Sequence, residues 1–227
     1  MTSAGNICYL CGKLIPGGEM SRDHVPPLQV FPRTFRPELS KLITLPTHRR
    51  CNESYRSDED YTVTALSSGA ADSFTGKALW GDVVARLRKP EKKGLARKIV
   101  SEFSKVSPAG LVYPGLSHKS FDGVRVGRIL WKIARGLFYH HTGRILPETT
   151  PCAMDFAAPG FPLPDVFSLV ANEPEHGEYK GAFAYRYKSF PEIDNAHFWA
   201  FLLWDRIIAT VCFHDPDCAC DLCKSDP

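Results

Sequence analysis

Near the start of this 227-residue chain, two pairs of thiol and imidazole ligands stand at matching spacing: Cys8 and Cys11 as C-x-x-C, His48 and Cys51 as H-x-x-C. Such pairs supply the four nitrogen and sulfur donors that tetrahedral Zn²⁺ takes in a structural site. Asp23 and His24 lie between the pairs, and Asn52 directly follows the last ligand. A zinc ion that ties the pairs together draws these three side chains into one neighbourhood although the sequence separates them. A carboxylate and an amide oxygen can hold a hard cation such as Mg²⁺ or Mn²⁺, and an imidazole beside them can take a proton from water. The chemistry on offer is metal-assisted hydrolysis.

The succession C-x-x-C, Asp-His, second ligand pair and Asn resembles the HNH endonuclease superfamily. These are the ββα-metal or treble-clef nucleases, and the closest pattern is that of the endonuclease-VII-like branch. The resemblance covers about the first quarter of the chain. It implies structural zinc on Cys8, Cys11, His48 and Cys51, a catalytic divalent ion on Asp23 and Asn52, and His24 as general base. In two places the chain departs from the family pattern: His48 stands where Cys is usual, and no Asn occupies the middle position around Leu42 to Thr44.

The positioning elements follow from local signals. Gly17-Gly18 reads as a turn into a short strand that ends at His24, and Pro26-Pro27 stops regular structure. Residues 31–39 form an irregular loop and 41–45 a second strand. Pro46 then precedes a helix capped by Thr47, which carries His48, Cys51 and Asn52 in its first turns. Neighbours on a helix of about 3.6 residues per turn diverge by about 100°, so Cys51 can face zinc while Asn52 faces a second ion.

Beyond a Ser/Gly/Ala stretch near 67–70, apolar residues at helical spacing over 78–87 and 95–106 are separated by Pro90. The clearest helix spans 125–141. Val126, Ile129, Leu130, Ile133 and Leu137 form its core stripe, and Gly143 stops it. Arg125, Arg128, Lys132 and Arg135 recur on another face, at a spacing suited either to a phosphate backbone or to an ordinary solvated surface. Strand character marks 166–171, 182–187 and 207–213, whereas 196–203 is aromatic, apolar and ambiguous.

Charge is unevenly spread. The formal net charge is +3, yet residues 86–144 carry +11 and residues 145–227 carry −8. A basic middle beside a hydrolase motif suits a polyanion, with Arg49, Arg50, Arg125, Arg128, Lys132 and Arg135 as candidate nucleic-acid contacts. Of the eight cysteines, seven sit in two terminal clusters at ligand spacing, which favours thiolates on metal in a reducing compartment over disulfides. The second cluster, His214, Cys218, Cys220 and Cys223 with Cys212 to spare, offers another zinc site. With no leader pattern and no apolar run of spanning length, the expectation is a cytoplasmic protein with no membrane partner.

The sequence therefore predicts an α+β protein. A zinc-bound ββα-metal module over 1–66 precedes a helical and then β-containing substrate-positioning region over 70–227. The expected function is a metal-dependent HNH-type endonuclease acting on nucleic acid, DNA first, as a homodimer where both strands are cut. A non-catalytic zinc-dependent module that binds nucleic acid or protein is the alternative. A cysteine-based redox role is the weakest reading, because both clusters contain histidine and neither lies in a βαβ pattern.

Overall fold

A computed structural model of the chain describes residues 7–39, 42–105, 117–157, 163, 165–177 and 179–214. The architecture is mixed α and β, with helices and small antiparallel sheets. Strand β1 (Met20–Val25) pairs antiparallel with β2 (Ile43–His48) in a regular register that sets Asp23 opposite Leu45 and His24 opposite Thr44. From β2 the chain passes directly into a short helix α1 (Arg49–Glu53), then α2 (Arg56–Ser67). Next come α3 (Phe74–Leu87), α4 (Lys93–Ser101), a two-stranded ribbon of β3 (Phe103–Lys105) and β4 (Ser117–Lys119), and the long helix α5 (Gly123–Thr142). The C-terminal part is a four-stranded sheet in the order β5 (Cys152–Ala157), β8 (Ile207–Phe213), β7 (His197–Leu203), β6 (Phe183–Ser189), antiparallel throughout.

α5 is the axis of the molecule. Asp122 caps it by accepting from the Arg125 amide, and Gly143, at φ +68° in the left-handed region, closes it. Its middle is buried nearly all round, from Lys132 to Phe138. On one side lies the β1–β2 hairpin. There a Cβ on Gly136 would stand 2.7 Å from a Val25 methyl, so only glycine permits the approach. On the other side the sheet presents Trp199, Phe201, Val211 and Phe213, all essentially buried. The buried cluster runs continuously from Cys8 to Phe213. A second tie joins distant parts of the chain. Trp204 and Asp205 turn β7 into β8 with φ of +53° and +55°, and the Trp204 indole N–H donates to the Val30 carbonyl at 2.8 Å.

Three local expectations are corrected. The apolar run over 166–171 is a 3-10 helix, Asp165–Val170, rather than a strand, because it packs across the outer face of β6 and β7 instead of joining the sheet. The helix expected over 95–106 ends at Ser101, and Phe103–Lys105 turns into the ribbon with β4. The ambiguous 196–203 run is the strand β7, flanked on both sides in the sheet. Among the described residues, no helix is long and apolar enough to cross a membrane.

Candidate metal centre

The C-x-x-C turn is built by backbone geometry. The Cys8 amide donates to the Lys13 carbonyl (2.9 Å), the Gly12 amide donates to the Cys8 carbonyl (2.8 Å), and Gly12 adopts φ +69°. Only a residue without Cβ enters that conformation freely, and a Cβ there would also crowd Ile145 at 3.3 Å. The hairpin delivers His48 from the end of β2, and α1 delivers Cys51 one turn later. One donor atom from each of Cys8, Cys11, His48 and Cys51 lies within 4.8 Å of every other.

The distances fit zinc. Bond lengths of about 2.3 Å to sulfur and about 2.0–2.1 Å to nitrogen make the S···N edge of a tetrahedron about 3.6 Å. His48 Nδ1 stands 3.4 Å from Cys11 Sγ and 3.8 Å from Cys51 Sγ. The tautomer is fixed from behind. His48 Nε2 is 3.1 Å from the Leu14 carbonyl, which can only accept, so Nε2 carries the proton and Nδ1 presents its lone pair to the thiols. Cys8 Sγ is 3.3 Å from Thr47 Oγ1 and 3.5 Å from the His48 amide.

These contacts polarise the cluster. Burial raises the Cys8 thiol, but hydrogen bonds from Thr47 and from nearby backbone outweigh it and bring its pKa to about 6. Cys51 is pushed up to about 12 by burial and by the neighbouring thiolates Cys8 and Cys11. The Cys8 thiolate forms easily while Cys51 resists ionisation, which is how a soft-cation site behaves before its cation arrives. The Cys8, Cys11, His48, Cys51 cluster can thus hold a metal such as zinc.

The groups expected to hold a second, hard ion are differently disposed. A regular ladder turns neighbouring residues to opposite faces, so Asp23 and Ser21 face α5 while His24 faces away, half-buried. Asp23 is 4% exposed and fully engaged. Tyr9 Oη donates to its Oδ2 at 2.5 Å, and Lys132 Nζ lies 3.0 Å from Oδ1 and 2.8 Å from Oδ2. Lys132 also pairs with Glu59, whose carboxyl is raised by burial despite that cation. Asn52 donates to Ser21 Oγ at 3.3 Å. His24 has no hydrogen-bond partner among the described residues. The donor set for Mg²⁺ or Mn²⁺ does not fit as it stands, because an ammonium already occupies the cation position on Asp23.

The expected row of four cations on α5 is also corrected. Lys132 and Arg135 are each 1% exposed and point inward. Arg135 Nε donates to the Tyr9 carbonyl at 3.1 Å, its guanidinium lies 4.6 Å from the Trp131 ring centre, and burial lowers its pKa. Arg125 and Arg128 are paired with Asp58 at 2.7 and 2.5 Å and packed over Tyr61 and Tyr55. Arg49 and Arg50 are exposed. Of the second candidate zinc set, Cys218, Cys220 and Cys223 lie outside the described residues; His214 follows β8, its pKa lowered by burial.

No family model matches the chain, and neither the curated proteins nor the solved structures contain a match.

Proposed function

We propose that the N-terminal part is a zinc-bound ββα-metal module of treble-clef type, and that the protein is an HNH-type endonuclease acting on phosphodiester bonds, DNA first. The supporting observation is the order of attachment. The Asp-His pair lies on the first strand of a hairpin, and the second strand runs without interruption into the helix that bears Asn52. The ligand cluster joins the end of that hairpin to the start of the helix. Within this reading His24, half-buried and without a partner, takes the proton from the attacking water, and Arg49 and Arg50 contact phosphates. Asp23 orients the hairpin through Tyr9 and Lys132. Any divalent ion at Asp23 and Asn52 would have to displace the lysine, so metal dependence is itself a question for the test. A break in both strands calls for two copies.

The ion pair of Asp23 with Lys132 favours a second reading, in which the module binds nucleic acid without cutting it. Incubation of supercoiled plasmid with wild type and His24→Ala, each with Mg²⁺, Mn²⁺ or chelator, separates the two. Nicking by wild type alone supports the endonuclease; equal nicking by both proteins ends it; retarded but uncut plasmid supports the binding module.

A further inference from the structure

Outside the metal centre, the connection from β1 to β2 packs on α3 and encloses a small polar cavity of about 180 Å³. Three guanidiniums line it, from Arg33 and Arg36 on the connection and Arg86 on α3, with Gln29 and Asp82. Its scaffold is rigid. Arg86 is braced by Asp60 (2.9 Å), Gln29 Oε1 (3.3 Å) and Thr64 Oγ1 (2.8 Å), while its Nε is buried without a partner. Arg36 Nε donates to the Phe31 carbonyl at 3.1 Å, and Asp82 is held by the Arg33 amide at 2.7 Å. Among the described residues, neither the Arg33 guanidinium nor the terminal nitrogens of Arg36 have a hydrogen-bonded acceptor.

With Arg86 already paired to Asp60, Arg33 and Arg36 share the single carboxylate of Asp82. Burial and then the nearby Arg33 charge lower the Arg36 pKa, as expected of a site short of negative charge. The open guanidinium forks of Arg33 and Arg36 match the oxygens of a phosphate, and Arg86 adds its unpartnered Nε.

Beside the cavity stands an aromatic pair that core packing does not require. Phe74, the first residue of α3, is 82% exposed, and its ring stacks on Phe35 at 6.0 Å and 21°. Phe35 adjoins Arg36, and Phe74 precedes Leu79, Asp82 and Arg86 on α3 by 5, 8 and 12 residues. An open ring face next to a phosphate-sized basic cavity is the pairing used to hold unstacked nucleotides. A duplex buries its base faces in its own stack, so such a ring can engage only an unpaired base.

We propose that this face binds single-stranded nucleic acid, with a backbone phosphate seated among Arg33, Arg36 and Arg86 and an adjacent base stacked on Phe74. The inference deepens the nucleic-acid reading above and rests on it for the class of polymer. It places the substrate's single-stranded part on α3 and the β1–β2 connection, where Arg33 and Arg36 come 9 and 12 residues after His24.

The test is anisotropy of fluorescein-labelled oligothymidylate and oligouridylate over a range of salt, using full-length His24→Ala protein so that no cleavage intervenes. Into that background go Phe74→Ala and the double change Arg33→Gln with Arg36→Gln, each checked for an unchanged melting temperature. Phe74→Ala should weaken binding about five- to hundredfold with little change in salt dependence. The double change should weaken it at low salt and reduce the slope of log K against log salt by about one to two. The two polymers separate the sources: equal effects mean a groove blind to the sugar, and an effect on one alone names it. Unchanged affinity and slope in both folded variants would overturn the proposal. Wild-type protein that binds here but never nicks plasmid would leave this site standing and remove the endonuclease; nicking with unaltered oligonucleotide binding would do the reverse.

Discussion

The thiols of Cys8, Cys11 and Cys51 and the carboxylates of Asp23 and Glu59 are both sets of acidic groups drawn out of water, but only the second brings its own counter-ion. At the carboxylates, α5 supplies Lys132, Tyr9 adds a hydrogen bond, and the Tyr55 ring lies 5.2 Å from the ammonium. At the thiols, no lysine or arginine is hydrogen-bonded to a sulfur among the described residues, the buried Arg135 acting on Cys8 and Cys11 only through its charge, and the histidine lone pair is turned toward the sulfurs. Two buried anions with one cation close on themselves. Three thiols and an imidazole with no cation bonded to them stay open to an ion from outside. The same hairpin therefore carries one cluster that can take a metal from solution and one carboxylate that already holds a side-chain cation.

The largest effect should come from the open site. Cys51→Ser, or removal of metal by a strong chelator, should cost the N-terminal part most of its structure, since structural zinc contributes about 10–16 kcal/mol at such sites. Elemental analysis beside far-ultraviolet circular dichroism checks it: protein that is metal-free yet folds and melts like the untreated sample would contradict the comparison.

A smaller loss is expected at the closed site. Lys132→Met keeps the volume but leaves Asp23 and Glu59 without a cation, and should destabilise by about 3–5 kcal/mol in urea unfolding. Adding Asp23→Asn should recover much of that, because Glu59, its carboxyl already raised, can take a proton. A double variant as unstable as the single one would show that Lys132 acts through packing alone. If Lys132 stands in for a metal, Mn²⁺ should raise the melting temperature of Lys132→Met and leave wild type unmoved.

The sheet side gives the smallest shift and sharpens the contrast with a site of neutral groups. His141, held between the Tyr185 and Tyr187 hydroxyls at 2.9 and 3.3 Å, is lowered to about 4 by burial and by His140 and His176. His197 is lowered to about 4 by burial and by Arg144. Both are neutral when folded and protonate more readily when unfolded, so the unfolded chain binds more protons below pH 6.5. Stability contributed this way is present above that pH and is lost as pH falls from 6.5 towards 4, by about 3 kcal/mol per histidine at most. His141→Gln should flatten this part of the profile, and a wild-type curve that the change leaves untouched would count against it.

The four-ligand cluster was legible because spacing alone determines which donors can meet on one ion. The hairpin was legible from Gly17-Gly18 and the existence of the helix after it from the ligand spacing, but Pro46 and the expected cap Thr47 lie within β2, which ends at His48, and the helix starts at Arg49 without a side-chain cap. The polar partners of Asp23 were not legible, since Tyr9 comes from the C-x-x-C turn and Lys132 from α5, 14 and 109 residues away. A clue did exist in α5. Leu130, Trp131, Ile133, Ala134, Gly136, Leu137 and Phe138 leave hardly any polar side to its middle, and a helix apolar nearly all round is central. Cations within such a stretch must be interior, so Lys132 and Arg135 had to find anions, carbonyls or rings inside the protein. The strand β7 was ambiguous for a related reason: a strand covered on both faces loses the alternation by which strands are recognised.

The Trp204 indole, hung from the carbonyl of Val30, has a consequence for how the chain could be divided. The turn from β7 to β8 anchors the connection that follows β1, so the quarter bearing the four ligands borrows part of its footing from residues that leave the ribosome some 170 positions later. Moved alone into another protein, that quarter would arrive with its ligands in order and an unclad back.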